Sequence, residues 1–309
     1  MDAVINVALP VFGLALLGYF AVRGGWFPDS GIIGLSRYVF DWAVPALLIR
    51  TFANAHIPET IPWELLITFY LPAALTYLFG AIVAAKIFGK DFGGAVIAGF
   101  ASSYGNSVMV GIPLVLLAFG DAGAIPFFIL MSFHGLSYFM ATTVLITYGQ
   151  SKERERMDIR EMLGELFGNP IILGLIIGIV MNRAGWTLPG PIDRIAEYLQ
   201  LSVIPCALFA LGANMTRYQL GGQSVHGLCI VALKNVLFPL TVWVFGSKLM
   251  GLPEIWTIVA VVLASTPTGV NVFLFAQRFN VAQDLASTSV LLSTAISIFA
   301  LSFVLYTFS

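Results

Sequence analysis

Residues Ser102–Leu114 read SSYGNSVMVGIPL, and they lie inside an apolar run from about Phe92 to Phe119. A helix drawn through this run must carry Gly105, Asn106, Gly111 and Pro113. Glycine relaxes the backbone, and proline removes a donor and clashes with the preceding turn. A hydrophobic span holding all four residues predicts a broken helix, and where such a break can survive decides the fold.

The surroundings point to a membrane. The 309 residues are 59% hydrophobic and 10% charged, with a mean hydropathy of +0.92, whereas soluble domains carry about 25% charged residues. Little extramembrane mass remains for a soluble enzyme or a nucleic-acid module, and a net charge of −1 indicates no polyanionic partner. Cys206 and Cys229 stand alone in apolar runs, which fits packing rather than disulfide or metal chemistry. The first apolar run lacks a preceding basic region and a cleavage site, so it reads as a retained span.

Ten windows of about the 20 apolar residues that cross a bilayer are legible: 3–22, 31–53, 63–87, 93–118, 124–148, 169–185, 194–215, 225–250, 255–279 and 284–308. The longest connection is 151–168, where Ile159, Met162, Leu163, Leu166 and Phe167 recur at helical spacing and predict a short interfacial helix. Arg23, Arg37, Lys86, Lys90, Lys152, Arg154, Arg156, Arg160, Arg217 and Arg278 fall on one side, and Arg50, Arg183, Arg194 and Lys248 on the other. The richer side is expected to be cytoplasmic. That puts 151–168 inside the cell and both termini outside the cell membrane. Lys234 is left over within the eighth window.

The chain also repeats itself at an offset of 160. Pro10/Pro170, Gly18/Gly178, Arg23/Arg183, Gly25/Gly185, Trp26/Trp186, Tyr38/Tyr198, Pro45/Pro205 and Asn54/Asn214 coincide without a gap. Each copy, 1–150 and 169–309, holds five windows. Five is odd, so the second copy is threaded upside down, a build common among secondary transporters. The expected fold is an all-α integral membrane protein of ten transmembrane helices in two inverted repeats. The repeat also points from Asn106 to Ala264–Phe275, ASTPTGVNVFLF, where Pro267, Gly269 and Asn271 break a second apolar run.

Two breaks at repeat-related positions are expected to cross near the bilayer midplane, buried in protein or lining a wet cavity. Helix N-termini carry about half a positive charge and free N–H groups. Asn106 and Asn271, with Gly105, Ser107, Thr266 and Thr268, are then expected to bind a small anion such as a carboxylate, without a buried lysine or arginine. Ser102, Ser103, Thr266 and Thr268 can equally bond their own helices. Neither break holds an acidic residue; Asp91, Asp121, Glu254 and Asp284 are the nearest. A central proton-carrying carboxylate is therefore not indicated, no cofactor or metal is expected, and Na⁺ coupling stays open through carbonyl and Asn or Ser oxygens but has no sequence support. Among other polar residues within the spans, Arg37 and Asp41 are spaced to pair on one helix face. Lys234, beside Asn235, reads either as a charge near the substrate path or as a snorkelling side chain. His134 reads either as a titrating residue or, more simply, as a hydrogen-bonded packing residue. Gly174 and Gly178 permit close helix contact.

GNSVMVGIPL, STPTGVNVFLFAQRFN, PCALFALGANM (Pro205–Met215) and DWAVPALL resemble the fourth, ninth, seventh and second spans of the auxin efflux carrier family. That family includes plant auxin exporters and bacterial malonate and malate carriers. The resemblance covers nearly the whole chain and implies a fold shared with bile-acid sodium symporters. Spans 1, 2, 6 and 7 would form a scaffold, commonly dimeric. Spans 3–5 and 8–10 would form a mobile transport domain moving as an elevator, with substrate at the crossing of spans 4 and 9. Asn106, Pro113, Pro267 and Asn271 match the family's motifs. The large central cytoplasmic loop of the plant exporters is missing, and a short carboxylate fits better than auxin.

Two other functional classes compete with a carrier. An intramembrane enzyme needs a nucleophile with its base, paired aspartates or an HExxH helix; His56, His134 and His226 lie in separate segments. A membrane-embedded ligand or lipid sensor would use the same fold without net transport.

Overall fold

The computed structural model describes residues 9–55, 57, 60–149 and 168–308. His56 and, apart from Gly168, the expected interfacial helix at 151–168 lie outside the described residues. We number the helices α1 (Leu9–Arg23), α2 (Asp29–Asn54), α3 (Trp63–Lys86), α4 (Phe92–Ser103), α5 (Ser107–Gly149), α6 (Pro170–Ala184), α7 (Gly190–Met215), α8 (Ser224–Leu249), α9 (Glu254–Ser265), α10 (Asn271–Arg278) and α11 (Gln283–Phe308). Among the described residues there is no named strand, only one isolated antiparallel bridge, Gly105 to Thr268.

Among the described residues six helices, α2, α3, α5, α7, α8 and α11, are long and apolar enough to cross a bilayer. Phe20 on α1, Phe79 on α3 and Phe303 on α11 are exposed, which suits helices facing lipid. The fourth and ninth windows are each divided. α4 and α9 have 12 residues apiece, about 18 Å of helix, little more than half the roughly 30 Å hydrocarbon core. α5 covers two windows because Gly120, at φ 54° and ψ −142°, bends it into two arms.

Local chemistry explains the helix ends. The Asp91 carboxylate caps α4 by accepting from the Gly94 N–H at 2.9 Å. Asn169 does the same for α6 through Ile171, with Pro170 in the first turn. Wide π-type turns occur at Val39–Ala43, Ser107–Gly111 and Leu233–Leu237, each ending two residues before a proline: Pro45, Pro113 and Pro239. Proline cannot donate to the preceding turn and its ring crowds the carbonyl there. The widened turn relieves that crowding and re-aims the side chains on it.

Positions that coincide at the 160-residue offset share backbone detail. Trp26 N donates to Ala21 O and Trp186 N to Met181 O, both at 2.9 Å, and Gly25 and Gly185 are left-handed at φ 74° and 66°. α1 packs on α7 as α6 packs on α2, and α6 and α7 stand about 160 residues after α1 and α2 in the chain. Gly18 lies against the Phe209 carbonyl and its partner Gly178 against those of Leu48 and Ile49. Gly174 faces Pro45 in the same α2–α6 contact, as expected of the small-residue pair. A bidentate pair from Arg50 to Asp193, at 2.7 and 3.2 Å, also ties α2 to α7.

The helices form two packing groups. α1, α2, α6 and α7 pack chiefly on one another, while α3, α4, α5, α8, α9, α10 and α11 surround the two breaks. Between the groups, near the α5 bend, opens a cleft of about 330 Å³ lined by Arg50, Asn54, Asp121, Ile125 and Gln200.

Candidate functional site: a crossing of two broken helices

The two breaks meet as antiparallel extended segments. Asn106 N donates to Pro267 O at 2.8 Å and Gly269 N to Tyr104 O at 3.1 Å, on either side of the Gly105–Thr268 bridge. Backbone groups freed by each break are thus paired with the other break, the condition for irregular backbone to persist inside a membrane protein. The approach needs glycine. A Cβ on Gly105 would run into Thr266 Oγ1, and one on Gly269 into the Tyr104 ring.

Each half-helix C-terminus is capped by side chains from elsewhere. For α4, Tyr138 Oη donates to Ser103 O and Thr268 Oγ1 to Ala101 O, both at 2.9 Å. For α9, Lys234 Nζ donates to Ala264 O and Asn235 Nδ2 to Ser265 O at 3.1 Å. Ser293 Oγ on α11 accepts from Thr268 N and donates to Asn235 Oδ1, both at 2.8 Å. The wide turn Leu233–Leu237 aims the consecutive residues Lys234 and Asn235 at the same helix end. Lys234 is fully buried, so it does not snorkel. Its presence corrects the expectation of an anion site without a buried cation.

On the N-terminal sides, Asn106 caps α5, its Oδ1 accepting from Met109 N at 3.2 Å, and Gly111 N returns to Asn106 O at 3.2 Å. Pro113 follows in the first arm of α5. Asn271 begins α10, and its Nδ2 donates to Tyr104 Oη at 2.9 Å. His134, on the second arm of α5, stacks on Tyr104 with centroids 4.7 Å apart, and its Nε2 lies 3.3 Å from both the amide and the carbonyl of Gly105. The packing histidine thus supports the crossing itself.

The structure gathers Gly105, Asn106, Ser107, Thr266, Pro267, Thr268, Gly269, Asn271 and Lys234 around the crossing, with Gly111 and Pro113 just beyond it. Several hydroxyls are already engaged. Thr266 Oγ1 donates to Leu263 O, Ser102 Oγ to Ala98 O, and Ser103 Oγ to Gly99 O. The side-chain groups at the crossing that bond no described protein group include Asn106 Nδ2, Ser107 Oγ, Asn271 Oδ1 and His134 Nδ1. Asn106 and Asn271 are not equivalent, because the offset has grown: α4 ends at Ser103 and α9 at Ser265, 162 residues on. At that offset Asn106 matches Thr268, and Asn271 matches Met109.

Arg37 and Asp41 are elsewhere, both exposed on α2, and form no ion pair with each other. The wide turn at Val39–Ala43 begins between them and contains Asp41, which breaks the four-residue register the pairing needs. Tyr104, Tyr138 and Ser293 belong to the crossing but were not singled out beforehand. Tyr104 lies within SSYGNSVMVGIPL, so its place was open to reading. Tyr138 and Ser293 are tens of residues away, and no local pattern marks them.

Comparison with known proteins adds a family. A family model described as "Membrane transport protein" matches residues 3–305. A Rhizobium meliloti (strain 1021) protein described as "Putative malonate transporter" is 29% identical over 99% of this chain and 96% of its own length. An "Uncharacterized transporter" of Methanothermobacter thermautotrophicus is 24% identical over 96% and 95% of the two chains. "Auxin efflux carrier component 8" of Arabidopsis thaliana is 22% identical over 96% and 94%.

Proposed function

This chain belongs to the membrane transport protein family, and from that premise we propose that it is a secondary carrier of small organic anions, short carboxylates in particular. It is a multi-pass membrane transporter and not an enzyme. The observation that carries the anion reading is the buried crossing, where the N-terminus of α10 and the Asn106-capped start of α5 flank the antiparallel bridge and the Lys234 ammonium lies against Gly105. Donors and positive potential converge there without a carboxylate. Malonate is the first substrate to try, because a relative matching nearly end to end is described by that name.

We read the chain as ten spans in two inverted repeats, with both termini outside and 151–168 cytoplasmic. α1, α2, α6 and α7 would be the scaffold and the homodimer surface. The helices around the breaks would move as an elevator carrying the substrate. The two packing groups and the cleft between them support that division. Export of an anion is favoured by an inside-negative potential and needs no cofactor, nucleic acid or Na⁺ site.

Reconstitution into liposomes tests the reading. Saturable flux of malonate, malate or an aromatic carboxylate, absent with neutral controls, is expected. Ligand binding without flux would favour the sensor alternative, and neither binding nor flux would overturn the carrier.

A further inference from the structure

The two half-helix C-termini at the crossing are capped by different chemistry. α4 ends on a neutral phenol, Tyr138, and α9 on the ammonium of Lys234. The first copy has no matching charge: α3 carries none between Glu64 and Lys86. Lys234 therefore breaks the pseudo-symmetry of the site by one positive charge.

That charge is poorly compensated within the protein. Lys234 is fully buried, its Nζ touches the Ala264 carbonyl, and the Phe238 ring centroid is 5.2 Å away. Among the described residues no carboxylate is within ion-pair distance of it. The partial negative charge at the end of α9 offsets only part of the desolvation cost of an ammonium. The ammonium also lies against the crossing: a Cβ on Gly105 would lie 3.6 Å from Nζ, in a space that Thr266 Oγ1 already fills.

We propose that Lys234 is the built-in counter-charge for the carried anion, pairing with one carboxylate group of the substrate. It would thereby set specificity for charged carboxylates over their neutral amides and take the place of a co-transported cation. This inference rests on the carrier reading.

The test uses the purified protein in liposomes, with radiolabelled malonate as the probe. Wild type is expected to carry malonate equally well with Na⁺ or with choline, and malonamide is expected to compete at least about 30-fold more weakly than malonate. Lys234→Gln and Lys234→Met are expected to weaken malonate by a similar factor, with Lys234→Arg retaining part of the affinity. Monodispersity and thermal unfolding in detergent show whether each variant is folded. If none folds, the malonamide comparison in wild type decides alone. Wild-type-like malonate affinity in folded Lys234→Gln overturns the inference and leaves the carrier reading standing. Malonamide competing as well as malonate, or strict Na⁺ dependence, does the same. A wild type that moves no member of the carboxylate panel overturns the carrier reading and this inference with it.

Discussion

Asn271 Nδ2 donates to Tyr104 Oη at 2.9 Å, joining the start of α10 to the extended segment between α4 and α5. This side-chain bond ties the two breaks together, alongside the backbone bonds that flank the Gly105–Thr268 bridge. Tyr104→Phe keeps the ring stacked on His134 and removes only the acceptor. We predict a stability loss of about 1 kcal/mol, the net worth of one such bond, with malonate efflux from liposomes lowered about 5-fold. Unchanged efflux would mean that the bond plays no part in the carrier's cycle.

Gly105→Ala puts a methyl group against Thr266 Oγ1, with Leu263 O only 3.2 Å away. Overpacking of a tight interior costs about 1–3 kcal/mol, and here it also pries the bridge apart. Thermal unfolding in detergent is expected to fall and flux to be lost. A variant with wild-type stability and flux would show that the segments need not approach so closely.

Asn106 has two roles that one substitution can separate. Aspartate caps a helix as well as asparagine does, so Asn106→Asp is expected to hold the start of α5 and the unfolding temperature. It also replaces a donor with a negative charge at the crossing, and flux of anionic substrates is predicted to drop at least about 30-fold. Asn106→Ser retains a cap without the charge and is expected to lose far less. Equal flux through the Asp and Ser variants would remove Asn106 from the substrate site.

Ser293 bridges the Thr268 amide and the Asn235 side chain, each at 2.8 Å. Ser293→Ala leaves the Thr268 N–H buried and unpaired, at a cost of about 1–3 kcal/mol. Amide exchange measured by mass spectrometry is expected to quicken in peptides covering 264–270, with the α1–α7 contact unaffected. Protection unchanged at Thr268 would show that another group takes over the bond.

Much of this was legible in the chain because it depends on local chemistry. Pro267, Gly269 and the cluster around Gly105 mark both breaks, since neither residue type sustains a continuous helix. Gly25 and Gly185, 160 residues apart, announce the same left-handed turn. Other expectations failed where an element departed from regular geometry. The Arg37–Asp41 pairing assumed an unbroken α-helix, and the wide turn before Pro45 removed that premise. A constant offset of 160 overstated the likeness of Asn106 and Asn271, because the helices before the two breaks end 162 residues apart, at Ser103 and Ser265.

Composition, hydropathy and the helix breakers were enough by themselves to determine a helical membrane protein with two interrupted spans, because the bilayer leaves unpaired backbone so few places to go. Only the tertiary structure decided which groups answer each break. Lys234 reaches Ala264, Tyr138 reaches Ser103, and Thr268 reaches Ala101. Those partners lie 30 to 167 residues apart in the chain, and a buried donor takes whichever acceptor the packing of whole helices brings within reach.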